Sequence, residues 1–229
     1  ASITESELAD KLLAFRQQQD GFLVPSFNPI SGSGPNGAIV HYRAIAGADR
    51  ELASDDLLLL DSGGHYRDGT TDITRTIAIG TPPNGAVAAY SHVLQSHIHL
   101  AMAKFPTGTN GKQLDAIARA PLWAAGLDFA HGTGHGVGHV LSVHEGPANI
   151  SKRGDVALEA GMVLSNEPGY YQTGDWGIRI ENLVVVTPAK QTGFLEFETI
   201  TLCPLDRRLI DKTLLDAGEI GWIDHYHRA

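Results

Sequence analysis

Two neighbouring runs constrain this chain most. Residues 57–61 (LLLLD) and 71–80 (TDITRTIAIG) have the apolar and β-branched character of strands, and the short connection through HYRDG makes them a β-hairpin. The second run alternates, so Asp72, Thr74 and Thr76 share one face and Ile73, Arg75, Ile77 and Ile79 the other. A chain built around such a hairpin needs a further layer to cover the apolar face. The sequence supplies helical stretches near 86–104 and 113–125, the second interrupted by Pro121. Thr4 and Glu7 read as a capping box ahead of a helix to about Gln18, with Leu8, Leu12 and Phe15 on one face. AIVHY (38–42) reads as a strand carrying His41. MVLSNEPGYY (162–171) and IRIENLVVV (178–186) read as further strands, and a last helical stretch starts near Asp206. The order predicts a mixed α+β fold with an antiparallel sheet curved enough to enclose a site.

With 229 residues and no repeat, low-complexity tract or composition shift, the chain reads as a single domain over 1–229. A formal charge of −9 argues against nucleic acid and an anionic membrane as partners and favours a cationic ligand. Cys203 is the only cysteine, so no disulfide can form within the chain; it is expected to be a buried small hydrophobe in a reducing compartment. No apolar run reaches the roughly 18 residues of a membrane helix, and the first ten residues lack a signal peptide's basic and apolar regions. Those features point to the cytoplasm. The start at Ala1 without Met reads as a processed product or a fragment.

The chemistry lies in four carboxylates. Asp61 ends an apolar run, Asp72 interrupts a strand, and Glu167 and Glu181 lie in or beside two others. Singly, each has an ordinary reading as a cap, an ion-pair partner or a loop carboxylate. Together they would repel one another unless cations intervened, and two divalent ions balance four carboxylates charge for charge. One imidazole from HGTGHGVGH (131–139) completes an oxygen-rich set that suits Mn²⁺ and tolerates Co²⁺ or Zn²⁺. The glycines there let the backbone wrap closely while His131 and His135 point inward, and no Lys and Ser/Thr pair follows to suggest a phosphate loop. His41 and His144 add imidazoles that can titrate near neutrality. His92, His97 and His99 fall in a helical stretch and read as packed or solvated.

At this point the sequence resembles the aminopeptidase P family of pita-bread metallopeptidases. SFNPISGSGPNGAIVHY, LDSGGHYRDGTTDITRT, HGTGHGVGH with VHEGP, SNEPGYY and GIRIENLVVV occur in that family's order over nearly the whole chain. The resemblance implies the pita-bread fold and a metal pair held by Asp61, Asp72, His135, Glu167 and Glu181, with Asp72 and Glu181 bridging. It also implies that His41, His131 and His144 line the substrate site and that Arg179 stands behind the ligands. The implied reaction is hydrolysis of the bond between an N-terminal residue and a penultimate proline, by a hydroxide bridging the metals. Glu167 would shuttle the proton, while His144 and His41 would steady the tetrahedral intermediate and orient the carbonyl or assist the leaving nitrogen. Long family members carry two further domains and an upstream helix, so the 229 residues read as a catalytic fragment of a larger enzyme, with a homodimer as one option for the full-length protein. Prolidase, which cleaves Xaa-Pro dipeptides, is the alternative enzyme. A pita-bread module that binds peptides without cleaving them is the alternative outside catalysis.

Overall fold

The computed structural model describes residues 3–229. In chain order its elements are α1 (Glu5–Gln17), β1 (Phe22–Pro25), β2 (Ile30–Ser33), β3 (Asp56–Ser62), β4 (Gly64–Tyr66), β5 (Gly69–Thr70), β6 (Ile73–Ile79), α2 (Ala86–Ala101) and β7 (Lys104–Pro106). Then follow α3 (Gly111–Ala124), β8 (Gly134–His135), β9 (Asn149–Ile150), β10 (Val163–Asn166), β11 (Gly169–Gln172), β12 (Trp176–Arg179), β13 (Asn182–Pro188), β14 (Phe194–Thr199) and α4 (Ala217–Tyr226).

Every strand pair is antiparallel. One sheet has the order β2-β3-β6 and a second β10-β13-β14-β7, while β1-β4-β5, β11-β12 and β8-β9 form smaller units. β3 and β6 pair over their full lengths, and the connection between them folds into β4 and β5, a smaller hairpin of its own. The alternation along β6 is satisfied on both faces: Thr74 and Thr76 are fully buried toward the site, and Arg75 is buried on the other side.

The helices cover the sheets because their apolar stripes have nowhere else to go. α2 buries Tyr90, Val93, Leu94 and Ile98 against Trp176, Ile178 and Ile180. Its end and α3 close a second core around Leu100, Leu114, Ile150, Leu164, Val184 and Phe197. At about 25 cal/mol per Å², such side chains stabilise by roughly 1.5–3 kcal/mol each, so these two clusters fix the scaffold. His97 is fully buried in α2 against Trp222, and burial drives its pKa down to about 3, so it is a neutral packing group. Among the described residues no helix is long and apolar enough to cross a membrane.

Several local readings change. AIVHY is not a strand: residues 34–38 form a 3₁₀ turn started by Pro35, and a turn through 39–41 leads into an irregular segment. The breakers on either side deny it a pairing partner. α1 begins at its Thr4 and Glu7 capping box as expected, but it buries Glu5 and Ala9 and leaves Phe15 53% exposed. IRIENLVVV is broken at Ile180 and Glu181 into β12 and β13. Past Asp206 come two 3₁₀ turns before α4 starts at its own capping box, Asp216 with Glu219. Cys203 is half-buried rather than enclosed.

Candidate metal centre

Two hairpin-like pairs deliver the carboxylates. Because β3 and β6 are antiparallel, the end of one lies beside the start of the other, which puts Asp61 and Asp72 together. The β10 and β13 pair does the same for Glu167, just past β10, and Glu181, just before β13. The Glu181 N–H donates to the Thr74 carbonyl at 3.1 Å and joins the two pairs edge to edge. His135 arrives from β8, which leans on β10 through the bridge between Gly136 and Leu164. A side chain at Gly134 would place its Cβ 1.9 Å from the Ser165 carbonyl, and one at Gly136 2.1 Å from that of Glu145. Only glycine lets the segment come this close.

The result is three overlapping groups whose ligand atoms lie within 4.8 Å of one another: Asp61, Asp72 and Glu181; His135, Glu167 and Glu181; and Asp72, His135 and His144. The His135 Nε2 is 3.3 Å from both Asp72 Oδ2 and Glu167 Oε1. Its Nδ1 donates to the Gly136 carbonyl at 2.9 Å, leaving the Nε2 lone pair turned toward the carboxylates, as a metal ligand requires. Asp61 Oδ1 is buried without any partner, and so carries a vacant lone pair into the cluster. This donor set fits divalent cations.

The electrostatics carry the same signature. Burial raises Asp61 to about 6, with Arg179 opposing and Asp72 adding. Burial raises Glu167 to about 7, against the pull of His135. Burial, then Asp72, Asp61 and Glu167 in turn, push Glu181 well above the usual carboxylate range. Burial works against the charge of His135, yet its bond to Asp72 and the Glu167 charge raise its pKa overall. Acids crowded in this way hold protons until cations replace them.

Behind the cluster stands a hydrogen-bonded row that sequence reading found only in part. Buried Arg179 donates to Asp61 Oδ2 at 2.7 Å, to Thr74 Oγ1 at 3.1 Å and to the Tyr171 hydroxyl at 2.8 Å. Thr74 in turn donates to Glu181 Oε2 at 2.8 Å. Ser165 donates to Glu167 Oε1 at 3.1 Å and accepts from the His135 N–H at 3.0 Å. Below them, Arg119 holds the His131 carbonyl at 2.7 Å, and Asp115 accepts from Thr133 at 2.6 Å. Tyr171, Ser165 and Asp115 escaped notice because nothing in their local sequence marks them. Alternation had placed Thr74 on the correct face without revealing its task.

The cluster opens into a cavity of about 590 Å³, also lined by His41, His131 and His144 and by Phe27, Ile30 and Val143. The His144 ring meets His135 edge-on at 4.0 Å, and burial followed by the His135 charge lowers its pKa. Both His131 nitrogens are occupied: Nδ1 donates to the Gly132 carbonyl at 2.8 Å, and Nε2 therefore accepts from Tyr171, also at 2.8 Å. Burial takes His131 down to about 4, which keeps it neutral. Tyr170, next to Tyr171 in SNEPGYY, packs against the core beside Trp176 rather than lining the cavity.

Comparison with known proteins agrees with this geometry. Residues 1–188 match the model of metallopeptidase family M24, and residues 193–229 that of the C-terminal region of peptidase M24. A probable Xaa-Pro aminopeptidase P from Laccaria bicolor is 50% identical over 98% of the chain and 36% of its own length. The solved X-prolyl aminopeptidase of Caenorhabditis elegans, described as a cytosolic enzyme with a di-nuclear active site, superposes with a TM-score of 0.96. It is 45% identical over 99% of this chain and 38% of its own. The prolidase of Pyrococcus furiosus gives 0.79 at 33% identity, over 89% of this chain and 57% of its own. The chain spans roughly a third of the length of the curated relatives it matches.

Proposed function

Since the chain belongs to metallopeptidase family M24 and has its pita-bread fold, we propose that it carries the catalytic site of a dinuclear aminopeptidase that releases an N-terminal residue preceding proline. The observation behind the reading is the convergence of Asp61, Asp72, His135, Glu167 and Glu181 on one cavity that three further histidines line. These five side chains would hold two divalent cations, Mn²⁺ by the oxygen-rich donor set, with Asp72 and Glu181 as the ligands shared by the pair. Bound there, the ions supply Lewis acidity toward a peptide carbonyl and lower the pKa of water.

The protein's own groups do the rest. The substrate's ammonium is drawn to the acidic floor near Asp61, which measures one residue from the end. Glu167 carries a proton from the attacking water to the leaving nitrogen. His144 donates to the carbonyl oxygen as charge develops there, and His41, which lines the same cavity, orients the carbonyl. His131, with both nitrogens engaged, presents only its ring, and with Phe27 and Val143 it builds an apolar surface against proline. Proline has no N–H, so this surface leaves no donor unsatisfied; an ordinary residue would bury one at about 1–3 kcal/mol. Arg179 positions Asp61 and Tyr171. The cytosolic description of the nematode relative supports a cytoplasmic setting.

The test is mass-spectrometric product analysis of the Mn²⁺-loaded protein on Arg-Pro-Pro, Arg-Pro and Arg-Ala-Ala. Release of Arg from the tripeptide, with the alanine analogue nearly inert, is the expected result. Cleavage of the dipeptide alone reassigns the site to prolidase chemistry. Metal binding without cleavage of any peptide reduces the chain to a binding module.

A further inference from the structure

The cavity has two permanent cations on its lining, Arg43 and Arg179, and they differ in one respect. The Arg179 guanidinium is spent on Asp61, Tyr171 and Thr74. Arg43 is exposed, and among the described residues no carboxylate lies within ion-pairing distance of it and no side-chain hydrogen bond engages it. In a chain of net charge −9, this guanidinium on the wall of an acid-floored cavity is a cation left available to an anionic group of a ligand.

Its position is also built rather than casual. Tyr42, the next residue back, donates its hydroxyl to Glu5 at 2.7 Å, and Glu5 is a carboxylate buried to 0% exposure that forms no ion pair among the described residues. Glu5 instead accepts from the Ser33 N–H at 2.6 Å, the Asn36 amide at 3.0 Å and the Arg50 N–H at 3.1 Å. Burial, and then the bond to Glu5, push the Tyr42 pKa up to about 12, so this hydroxyl stays a donor. An irregular segment is thereby pinned at its middle residue, while the residues on either side, His41 and Arg43, both line the cavity. A side chain that merely needed solvent would not require such an anchor.

We propose that Arg43 is a carboxylate-binding subsite of the cavity, taking a carboxylate on the part of the peptide that follows the scissile bond, with Glu5 and Tyr42 as its positioning residues. This rests on the peptidase reading above. A peptide held by its amine at the acidic floor directs its following residues toward the wall, where the guanidinium forms a charge-assisted, salt-sensitive pair. Two sources supply that group: the C-terminal carboxylate of a short peptide, or an acidic side chain just after proline.

The experiment compares kcat/KM for two peptide pairs in the Mn²⁺-loaded protein. Arg-Pro-Gly as free acid against its amide reads the terminal carboxylate, and Arg-Pro-Asp-amide against Arg-Pro-Asn-amide reads the side chain. One pair is expected to favour the acid by about three- to tenfold, carried by KM and shrinking as ionic strength rises. In Arg43→Met that ratio falls to near one, in Arg43→Lys it is partly kept, and in Arg43→Glu it inverts. Tyr42→Phe lowers the ratio without adding or removing charge. Equilibrium dissociation constants for the same pairs, by calorimetry, read Arg43 even when no peptide is turned over. Absent turnover with an intact acid preference therefore overturns the peptidase reading alone. Ratios near one for both pairs in the unaltered protein, or an acid preference that survives in Arg43→Met, overturn the subsite.

Discussion

The floor and the wall of the cavity are built on opposite principles. On the floor, Asp61, Asp72 and Glu181 are each 7% exposed or less and sit at strand ends fixed by ladder hydrogen bonds, with Arg179 gripping Asp61 and Thr74 gripping Glu181. On the wall, His41, Arg43 and His144 are exposed and come from segments without regular structure. A floor of this kind fixes positions before any ligand arrives, at the cost of packing like charges together. The wall leaves its groups freedom to meet a substrate and relies on single anchors such as Glu5. The contrast teaches where errors are tolerated: a lost floor group should remove the site, and a lost wall group should only weaken what the site does.

The sharpest way to break this contrast is Glu181→Ala. A carboxylate shared by two ions positions both, so turnover should fall by about a thousandfold or more, beyond the ten- to hundredfold cost of losing an outer partner. Metal content by atomic absorption should fall with it. Near-normal turnover and two retained ions in a folded variant would remove Glu181 from the centre. His144→Ala is the matching change on the wall. With metal content intact, kcat should drop by about a hundredfold, as expected for one lost transition-state donor, while KM moves little. Because His144 also falls within 4.8 Å of the Asp72 and His135 ligand atoms, loss of an ion in this variant would move it from the wall to the floor.

The same division decided what could be read in advance. Floor residues were legible because an acid in an apolar strand is unusual enough to notice, and antiparallel pairing then converts sequence position into proximity. Asp61 and Asp72 follow from the hairpin alone. The glycines at 134 and 136 declared a close approach without saying to what, and the answer, the carbonyls of Ser165 and Glu145, is tertiary. On the wall the signal fails. AIVHY has the composition of a strand, but Pro35 and the glycines around it leave no partner, so a turn carries His41 instead. Tyr170 and Tyr171 are indistinguishable by composition, and only the register of β11 against β12 sends the Tyr171 hydroxyl to Arg179 and sets the Tyr170 ring beside Trp176. Glu5, one acid in the first turn of an amphipathic helix, reads as a surface residue until its donors, 28 to 45 positions away, are in place.

Charge crowding on the floor has a measurable consequence in metal-free protein. Asp61 at about 6 and Glu167 at about 7 lie above the ordinary values of 3.8 and 4.5, burial being the first cause for each. The folded state therefore holds protons that the unfolded state has already released between about pH 4 and 7. This stabilisation is fully present below the unfolded values and is lost as pH rises through the folded ones. In EDTA-treated protein the floor carboxylates should accordingly cost about 1–3 kcal/mol toward neutrality in denaturant titrations, against an opposite contribution from the buried neutral imidazoles of His97 and His131, and saturating Mn²⁺ should remove that cost. That cost should shrink in Glu167→Gln, where the two imidazoles are unchanged. An identical pH dependence of stability in metal-free Glu167→Gln and the unaltered protein would show that the floor carboxylates are ionised and relaxed without cations.

The finest distinction lies within the floor itself, between ligands and the hydroxyls that aim them. Ser165 touches both Glu167 Oε1 and the His135 N–H, and Thr74 bridges Arg179 to Glu181. Neither hydroxyl belongs to the groups of ligand atoms, so each acts by restricting the rotamer of a neighbour. Ser165→Ala and Thr74→Val should each keep two ions at saturation but weaken metal binding by about tenfold, the low end of what an outer partner costs. Val in place of Thr keeps the shape of the buried side chain, so the fold loses mainly two hydrogen bonds, each worth about 0.5–1.5 kcal/mol. The two effects separate by measurement: competition against a metal indicator reads affinity, and thermal unfolding of the metal-free protein reads stability. Thr74→Ser, which restores the hydroxyl without the methyl, should recover affinity more than stability. If Thr74→Val binds metal as tightly as the unaltered protein, then Glu181 needs no aiming from Thr74, and the rigidity of the floor comes from the strands alone.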